Sequence, residues 1–401
     1  MPHSILKKCA RFAVLSVLET VSLLLVLALV PVRAARKIFL RKDFLSLWTG
    51  TPIITMAFNA LSERLLGYRS KSLVTHTYYI TDAFDYDLSA LGSIRLLRPL
   101  VPFGVFVWAC LFVDRLHFYC DRGILPPRRA FTFNFLELYV YRALGIQVFL
   151  WTYGADVRSR DITLMLGKPN CCTDCTLVGI ACICDEQARA AKIKKLREFS
   201  VAIFSMGDMI EYTPGSRNDL FFWPVDLGAR NGDKYRPVFP RFDEPRSLRI
   251  VHASNHRMFK GTRFLEKAVE ELRSEGVPVE LVLVEKIPNE QALEIYRSAD
   301  IIFDQCLIGF HGYFALEGMA LGKPVMCFIR KPAEYLLHPE ECPIINTHVS
   351  TLKEDIRRLV EKRDELAEIG MRGQKYIKKY FTKEAFSKRL GQAYKELGVV
   401  P

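Results

Sequence analysis

The 401-residue chain contains no internal repeat and no low-complexity segment, which excludes solenoid, propeller and collagen-like architectures. Disorder is excluded as well, because 50% of the residues are hydrophobic and 12% are aromatic, enough to build a core. Acidic residues are nearly missing from positions 1–42, where Lys7, Lys8, Arg11, Arg33, Arg36, Lys37, Arg41 and Lys42 stand against Glu19 alone. The net charge of +12 is therefore concentrated there, with +7 in this segment and +5 in the other 359 residues. That remainder lacks the spread basic face of a nucleic-acid binder, and no nucleic-acid partner is expected. Cysteine is not scarce, but the even spacing of a secreted disulfide framework is missing. Five of the 11 cysteines fall between Cys171 and Cys184, which fits a reducing compartment better.

Long apolar runs are limited to one. Phe12 to Val32 is 21 residues with a single charge, enough to span a hydrocarbon core. Glu19 near its middle costs about 2.5–3.5 kcal/mol on insertion scales, which the many leucines and valines offset. The run predicts a membrane anchor at 12–32. A helix lying in the interface, a signal peptide cut near Val32-Arg33-Ala34 and a buried helix stay open as alternatives. Three basic residues precede the run and five follow it, so the positive-inside rule places the long C-terminal part on the cytoplasmic side. Pro99 to Val113 is apolar for 15 residues, too short to span comfortably, and reads as a buried or membrane-leaning helix.

From Asp43 onward, short β-like runs alternate with helical ones. Phe44–Trp48, Leu73–Ile80, Leu116–Cys120, Ile146–Trp151 and Val201–Ser205 read as strands, with amphipathic stretches such as Ile53–Leu66 and Phe131–Leu144 between them. Thr213 to Pro245 is dense in Pro, Gly, Asn and Asp and marks a boundary. After it, Leu248–Ala253, Val279–Val284, Ile301–Phe303 and Val325–Ile329 alternate with helices, ending in a Lys-rich helical layer. The expected class is α/β, with two Rossmann-like domains facing a cleft. The segments are a basic N-terminal piece (1–42), a first domain (43–240) and a second domain with C-terminal helices (241–401).

Two motifs carry chemistry. In His252-Ala-Ser-Asn-His-Arg-Met-Phe-Lys-Gly-Thr262, between a strand and a helix, Arg257 and Lys260 form a basic pair where helix N–H groups favour an anion. The G-x-x-x-x-G-K order of a P-loop is absent, and a solvated basic loop is the plainer reading. In Gly309-Phe-His-Gly-Tyr-Phe-Ala-Leu-Glu317, two glycines precede a helix and a carboxylate lies one turn into it, placed to accept hydrogen bonds from a diol.

Together the two segments resemble the donor-binding half of the retaining GT-B glycosyltransferases of the group 1, family 4-like kind. The likeness rests on "ASNHRMFKGTRFLEKAVEEL" and "ADIIFDQCLIGFHGYFALEGMALGKPV", with a weaker match of "FLWTYGADVR" to the acceptor-half loop. It implies a nucleotide-sugar donor as substrate and no catalytic cofactor. It also implies that Lys260 and Arg257 hold the diphosphate, Glu317 holds the ribose hydroxyls, and the Gly312–Tyr313–Phe314 backbone faces the phosphates or the sugar. The family often carries two glutamates separated by seven residues, whereas here the earlier position is Gly309. A nucleotide-sugar epimerase or hydrolase, and a tethered scaffold with a degenerate donor site, are the rival readings. With the apolar run, the resemblance implies a membrane-associated glycan or lipid-linked acceptor.

Three further candidates lie in the first domain. Asp156, just after a strand in Gly-Ala-Asp, is placed either to orient an acceptor hydroxyl or to cap a turn. His117 is similar in context to a histidine that relatives point at the donor sugar, and as a strand residue it reads equally as structural. Cys172, Cys175, Cys182 and Cys184 form C-x2-C-x6-C-x-C, which predicts a structural zinc or, equally, free thiols in a loop.

Overall fold

The computed structural model describes residues 2–39, 44–77, 83–228, 234–254 and 256–399. The first domain is built on a parallel sheet of β1 (Leu45–Thr49), β2 (Arg69–Val74), β3 (Tyr86–Asp87), β4 (Arg115–Tyr119), β5 (Gln147–Trp151) and β6 (Ala202–Phe204). Its strand order is β3-β2-β1-β4-β5-β6, the doubly wound arrangement, with the order reversing between β1 and β4. Leu47 pairs with Leu116 and Leu116 with Val148, so the central strands are buried on both faces. β2 begins four residues before the apolar Leu73–Ile80 run, and residues 78–80 of that run lie outside the described residues. Its polar Ser70 and Ser72 are buried because each hydroxyl has a carboxylate acceptor, Glu63 and Asp85 respectively, which hydropathy alone does not register.

The second domain has a parallel sheet of β7 (Leu248–Ala253), β8 (Val279–Val284), β9 (Ile301–Phe303), β10 (Val325–Cys327) and β11 (Ile345–Asn346), ordered β11-β10-β9-β7-β8. Here the order reverses between β7 and β9. In such sheets ligands bind in the crevice beyond the carboxyl ends of the strands at the reversal, which in this domain means the chain after Ala253 and after Phe303. The final helix, Lys383–Glu396, crosses back to the first domain, where the Tyr394 hydroxyl donates to Glu63 at 2.8 Å. A linear cut at 240/241 misses this return.

The N-terminal helix runs from Pro2 to Phe39, and its stretch from Phe12 to Phe39 is long and apolar enough to cross a membrane by length and composition. Rather than standing free of the domain, it lies along the apolar helix Val101–Phe112, with Val26 buried. Its Glu19 accepts from Arg128 at 2.6 Å and from Asn134 at 2.7 Å, and its Arg36 is paired with Asp114 at 2.7 Å. The opposite face, including Val17, Leu24 and Leu27, is exposed.

Candidate functional site

The two sheets present their carboxyl edges to a cleft of about 520 Å³. The first domain contributes Ile53, Ile54, Tyr153 and Arg158, and the second contributes Ser254, Lys260, Tyr313, Phe314 and Glu317. Lys260 arrives there because Gly261, at φ +79°, turns the short helix Arg257–Lys260 into the helix Thr262–Ser274. A Cβ at Gly261 would stand 2.5 Å from the Cys306 sulfur, so glycine is required by packing as well as by backbone.

The Lys260 ammonium is ion-paired with Asp304, which follows β9 and is fully buried. Burial alone would push the Asp304 carboxyl up. Lys260 and the Gly312 N–H outweigh it and hold the carboxyl below its usual range. The Gly312 amide is thus spent on Asp304 rather than offered to a phosphate, whereas Tyr313 and Phe314 line the cleft. Glu317 also lines the cleft. Its Oε1 accepts from the Tyr235 hydroxyl at 3.1 Å and from Asn289 Nδ2 at 3.0 Å, and burial raises its pKa.

Arg257 differs from expectation. Its guanidinium is half exposed and is held by Glu285 at 2.6 Å and Glu266 at 3.1 Å, and it is not among the cleft-lining residues. His117 is corrected more strongly. It sits mid-strand on β4 rather than at a carboxyl end, fully buried, with its ring stacked on Trp48 at 3.9 Å. Trp151 donates to its Nδ1 at 3.2 Å, which leaves the proton on Nε2 facing the Ser46 hydroxyl at 3.1 Å. This histidine is packed in the core and is not among the cleft-lining residues.

Asp156 is likewise buried. It accepts from the backbone N–H groups of Tyr153 (3.0 Å), Gly154 (2.9 Å) and Cys120 (3.2 Å), the capping role, and burial pushes its pKa up to about 7. Its neighbours Tyr153, Ala155 and Arg158 line the cleft, and Arg158 is paired with Asp208 at 2.8 Å.

The cysteine quartet is not gathered around a point. Among the described residues, the group with ligating atoms within 4.8 Å of one another is the surface trio His338, Glu340 and Glu341. Cys171, Cys172 and Cys182 are instead buried in a hydrophobic cluster with residues of the second domain, and Cys171 N donates to Leu307 O at 3.3 Å. Cys171 and Cys182, whose thiols are held protonated, act there as small apolar side chains that fasten the loop after Asp156 across the domains. Asp304, Tyr235 and Asn289 were missed from sequence. Asp304 had one available signal, its position immediately after a strand at the reversal of order.

No protein-family model matches the chain, and no curated protein does. Solved structures do. Sucrose-phosphate synthase from Thermosynechococcus elongatus superposes with a TM-score of 0.53 at 12% identity, covering 88% of this chain and 99% of that one. Anabaena HepE in complex with UDP-glucose gives a TM-score of 0.51 at 12% identity, with coverages of 88% and 99%. An alpha-glucosyltransferase in complex with UDP and a 13-mer DNA gives the same score, identity and coverages: 0.51, 12%, 88% and 99%. With both parallel-sheet domains and the cleft between them matched over most of its length, the chain has the GT-B fold of glycosyltransferases.

Proposed function

We propose that the protein is a glycosyltransferase that moves a sugar from a nucleoside-diphosphate donor to a glycan or lipid-linked acceptor at a membrane, on its cytoplasmic side, with the anomeric configuration retained. The observation that supports this reading best is the joint placement of Lys260 and Glu317 in a cleft at the strand-order reversal of the second sheet. In the reaction the bond from the anomeric carbon to the diphosphate oxygen breaks. The acceptor hydroxyl oxygen bonds the same carbon, and its proton passes to the departing diphosphate. The Lys260 ammonium, shared between Asp304 and the diphosphate, stabilises the charge that develops on the leaving group. Glu317, already ordered by Tyr235 and Asn289, accepts from the ribose hydroxyls. Arg158 supplies a second positive charge on the acceptor side of the cleft.

The test is a titration of the full-length protein with UDP, GDP and their sugars, reading both binding and release of free nucleoside diphosphate in the presence of a membrane extract. Binding plus acceptor-dependent release supports transfer. Release of free sugar without an acceptor points to hydrolysis, and absence of nucleotide binding refutes the proposal.

A further inference from the structure

A second cavity, of about 410 Å³, lies at the strand-order reversal of the first sheet, between the chain leaving β1 at Thr49–Gly50 and the chain leaving β4 at Arg122–Gly123. This is the place where a sheet of this kind offers a ligand crevice. Arg122, Arg128 and Arg129 line it together with His76, and no carboxylate does. Arg128 is committed to Glu19 and the Arg122 Nε lies 3.5 Å from Asp121, with the Arg122 side chain still 38% exposed, whereas Arg129 carries no ion pair among the described residues. Gly50 lines this cavity and Ile53 lines the donor cleft, so the turn Gly50–Pro52 runs from one to the other.

The same cavity opens beside the two apolar helices. Pro102 and Val105 of the helix Val101–Phe112 form part of its wall, and Arg128 stacks over the Phe12 ring of the N-terminal helix at 4.4 Å. That helix is fastened to the domain within its apolar stretch at Glu19, and just beyond the stretch at Arg33, whose Nη1 donates to the carbonyls of Cys110 and Val113 at 2.9 Å, and at Arg36. From Glu19 to Arg36, at about 1.5 Å per residue, roughly 25 Å of helix is laid along the domain. A perpendicular span crosses about 30 Å of hydrocarbon, and with the helix docked it would carry Arg128, Asn134 and Asp114 into that layer. The residues shortly before Glu19 include Lys7, Lys8 and Arg11, which would not enter a hydrocarbon core cheaply. Val17, Leu24 and Leu27 are exposed on this helix, and Leu96, Leu97 and Leu100, together with Arg95 and Arg98, are exposed just before the helix Val101–Phe112 against which it packs. An apolar face with a basic rim fits the plane of an anionic leaflet.

We propose that the N-terminal helix lies in the plane of one leaflet instead of crossing it, and that the arginine-lined cavity takes the phosphate of a lipid whose tail stays in that leaflet. Resting on the transferase reading, this names the acceptor class: a glycan carried on a phosphate-linked lipid, with its sugar passing over the Gly50–Pro52 turn into the donor cleft.

Full-length protein with a tag at each end, in sealed inside-out membrane vesicles, tests the first half. Both tags should be cut by added protease, and protection of the N-terminal tag alone would overturn the in-plane arrangement. Flotation tests the second half, comparing phosphatidylcholine vesicles doped with a polyprenyl phosphate against vesicles brought to equal charge with phosphatidylglycerol. The protein should prefer the former by about tenfold or more. R122Q/R129Q should abolish that preference while retaining binding to the charge-matched vesicles, and R122K/R129K should restore part of it. A preference that survives in R122Q/R129Q, or no preference in the native protein, overturns the proposal. So does full competition by millimolar inorganic phosphate, which would make the cavity a site for free phosphate. No donor is present in these assays. Loss of the lipid preference with nucleotide binding intact defeats this inference alone, and the converse defeats only the transferase reading.

Discussion

Replacing Lys260 with alanine changes two things at once, and the structure separates them. The ammonium is the counter-charge of Asp304, which is fully buried, so Lys260→Ala leaves an unpaired carboxylate. Breaking a buried pair by removing one partner costs about 3–5 kcal/mol. The Lys260 side chain is 19% exposed, so water partly replaces it and the lower end, about 3 kcal/mol, applies. The variant's pH dependence is also predictable. In the native protein the Asp304 pKa is depressed, so its contribution to stability is present at neutral pH and is lost as the pH falls through the folded-state pKa. In Lys260→Ala burial dominates, the pKa rises, and stability should increase as the pH is lowered from neutral. Adding Asp304→Asn removes the stranded charge and keeps an oxygen for the Gly312 N–H. Urea unfolding should therefore show Lys260→Ala about 3 kcal/mol less stable and the double variant mostly recovered. Turnover should remain low in both, by a factor of about 10²–10³, if the ammonium stabilises a departing diphosphate. Recovery of turnover along with stability in the double variant would refute that role and leave Lys260 as the neutraliser of Asp304.

Glu317→Gln keeps an acceptor for Tyr235 and Asn289 but weakens the charge-assisted bonds to a ribose, so donor Kd should rise about 10- to 100-fold with kcat little changed; an unchanged Kd contradicts the assignment. Glu63 accepts from Ser46 (2.8 Å), Trp48 (2.9 Å), Ser70 (2.8 Å), Arg115 (2.9 Å) and Tyr394 (2.8 Å), so Glu63→Gln should cost about 3–5 kcal/mol in urea unfolding, and Tyr394→Phe about 1.5–3. Losses below about 1 kcal/mol in both would show that this network does not hold the final helix to the first domain. Burial pushes the Glu137 carboxyl up to about 8, above its unfolded value, so the native state keeps a proton the unfolded chain has released, and stability falls as pH rises through that window at up to about 1.4 kcal/mol per unit. Glu137→Gln should flatten the dependence of unfolding free energy between pH 5 and pH 8, and parallel curves for the two proteins would count against a shifted carboxyl.

The parts of the molecule legible in the sequence are those where one local rule decides. β7, β8 and β9 were readable because buried parallel strands are short apolar runs and their helices have clear apolar faces, and Gly261 and Gly322 punctuated them. Lys260, Tyr313, Phe314 and Glu317 were readable because they sit at fixed offsets from those strands. The roles of His117 and Asp156 were not, because a polar residue beside a strand end carries the same pattern whether it faces a ligand or a neighbouring strand. The packing against Trp48 in one case, and the three backbone amides in the other, become visible only in three dimensions.

The N-terminal helix shows the same limit at larger scale. Hydropathy measures what Phe12–Phe39 would pay in water and is blind to what Glu19, Arg33 and Arg36 meet across the fold. Those three charges, which cost free energy in a spanning helix, become the fasteners of a docked one. Deleting residues 1–42 would strip them from Asp114 and Asn134 and bare the helix Val101–Phe112, so a truncated chain that left the membrane would report damage to the first domain as much as loss of an anchor. The sidedness of the two termini in the intact protein is the measurement that separates these cases, because it depends on the path of the helix and leaves its packing in place.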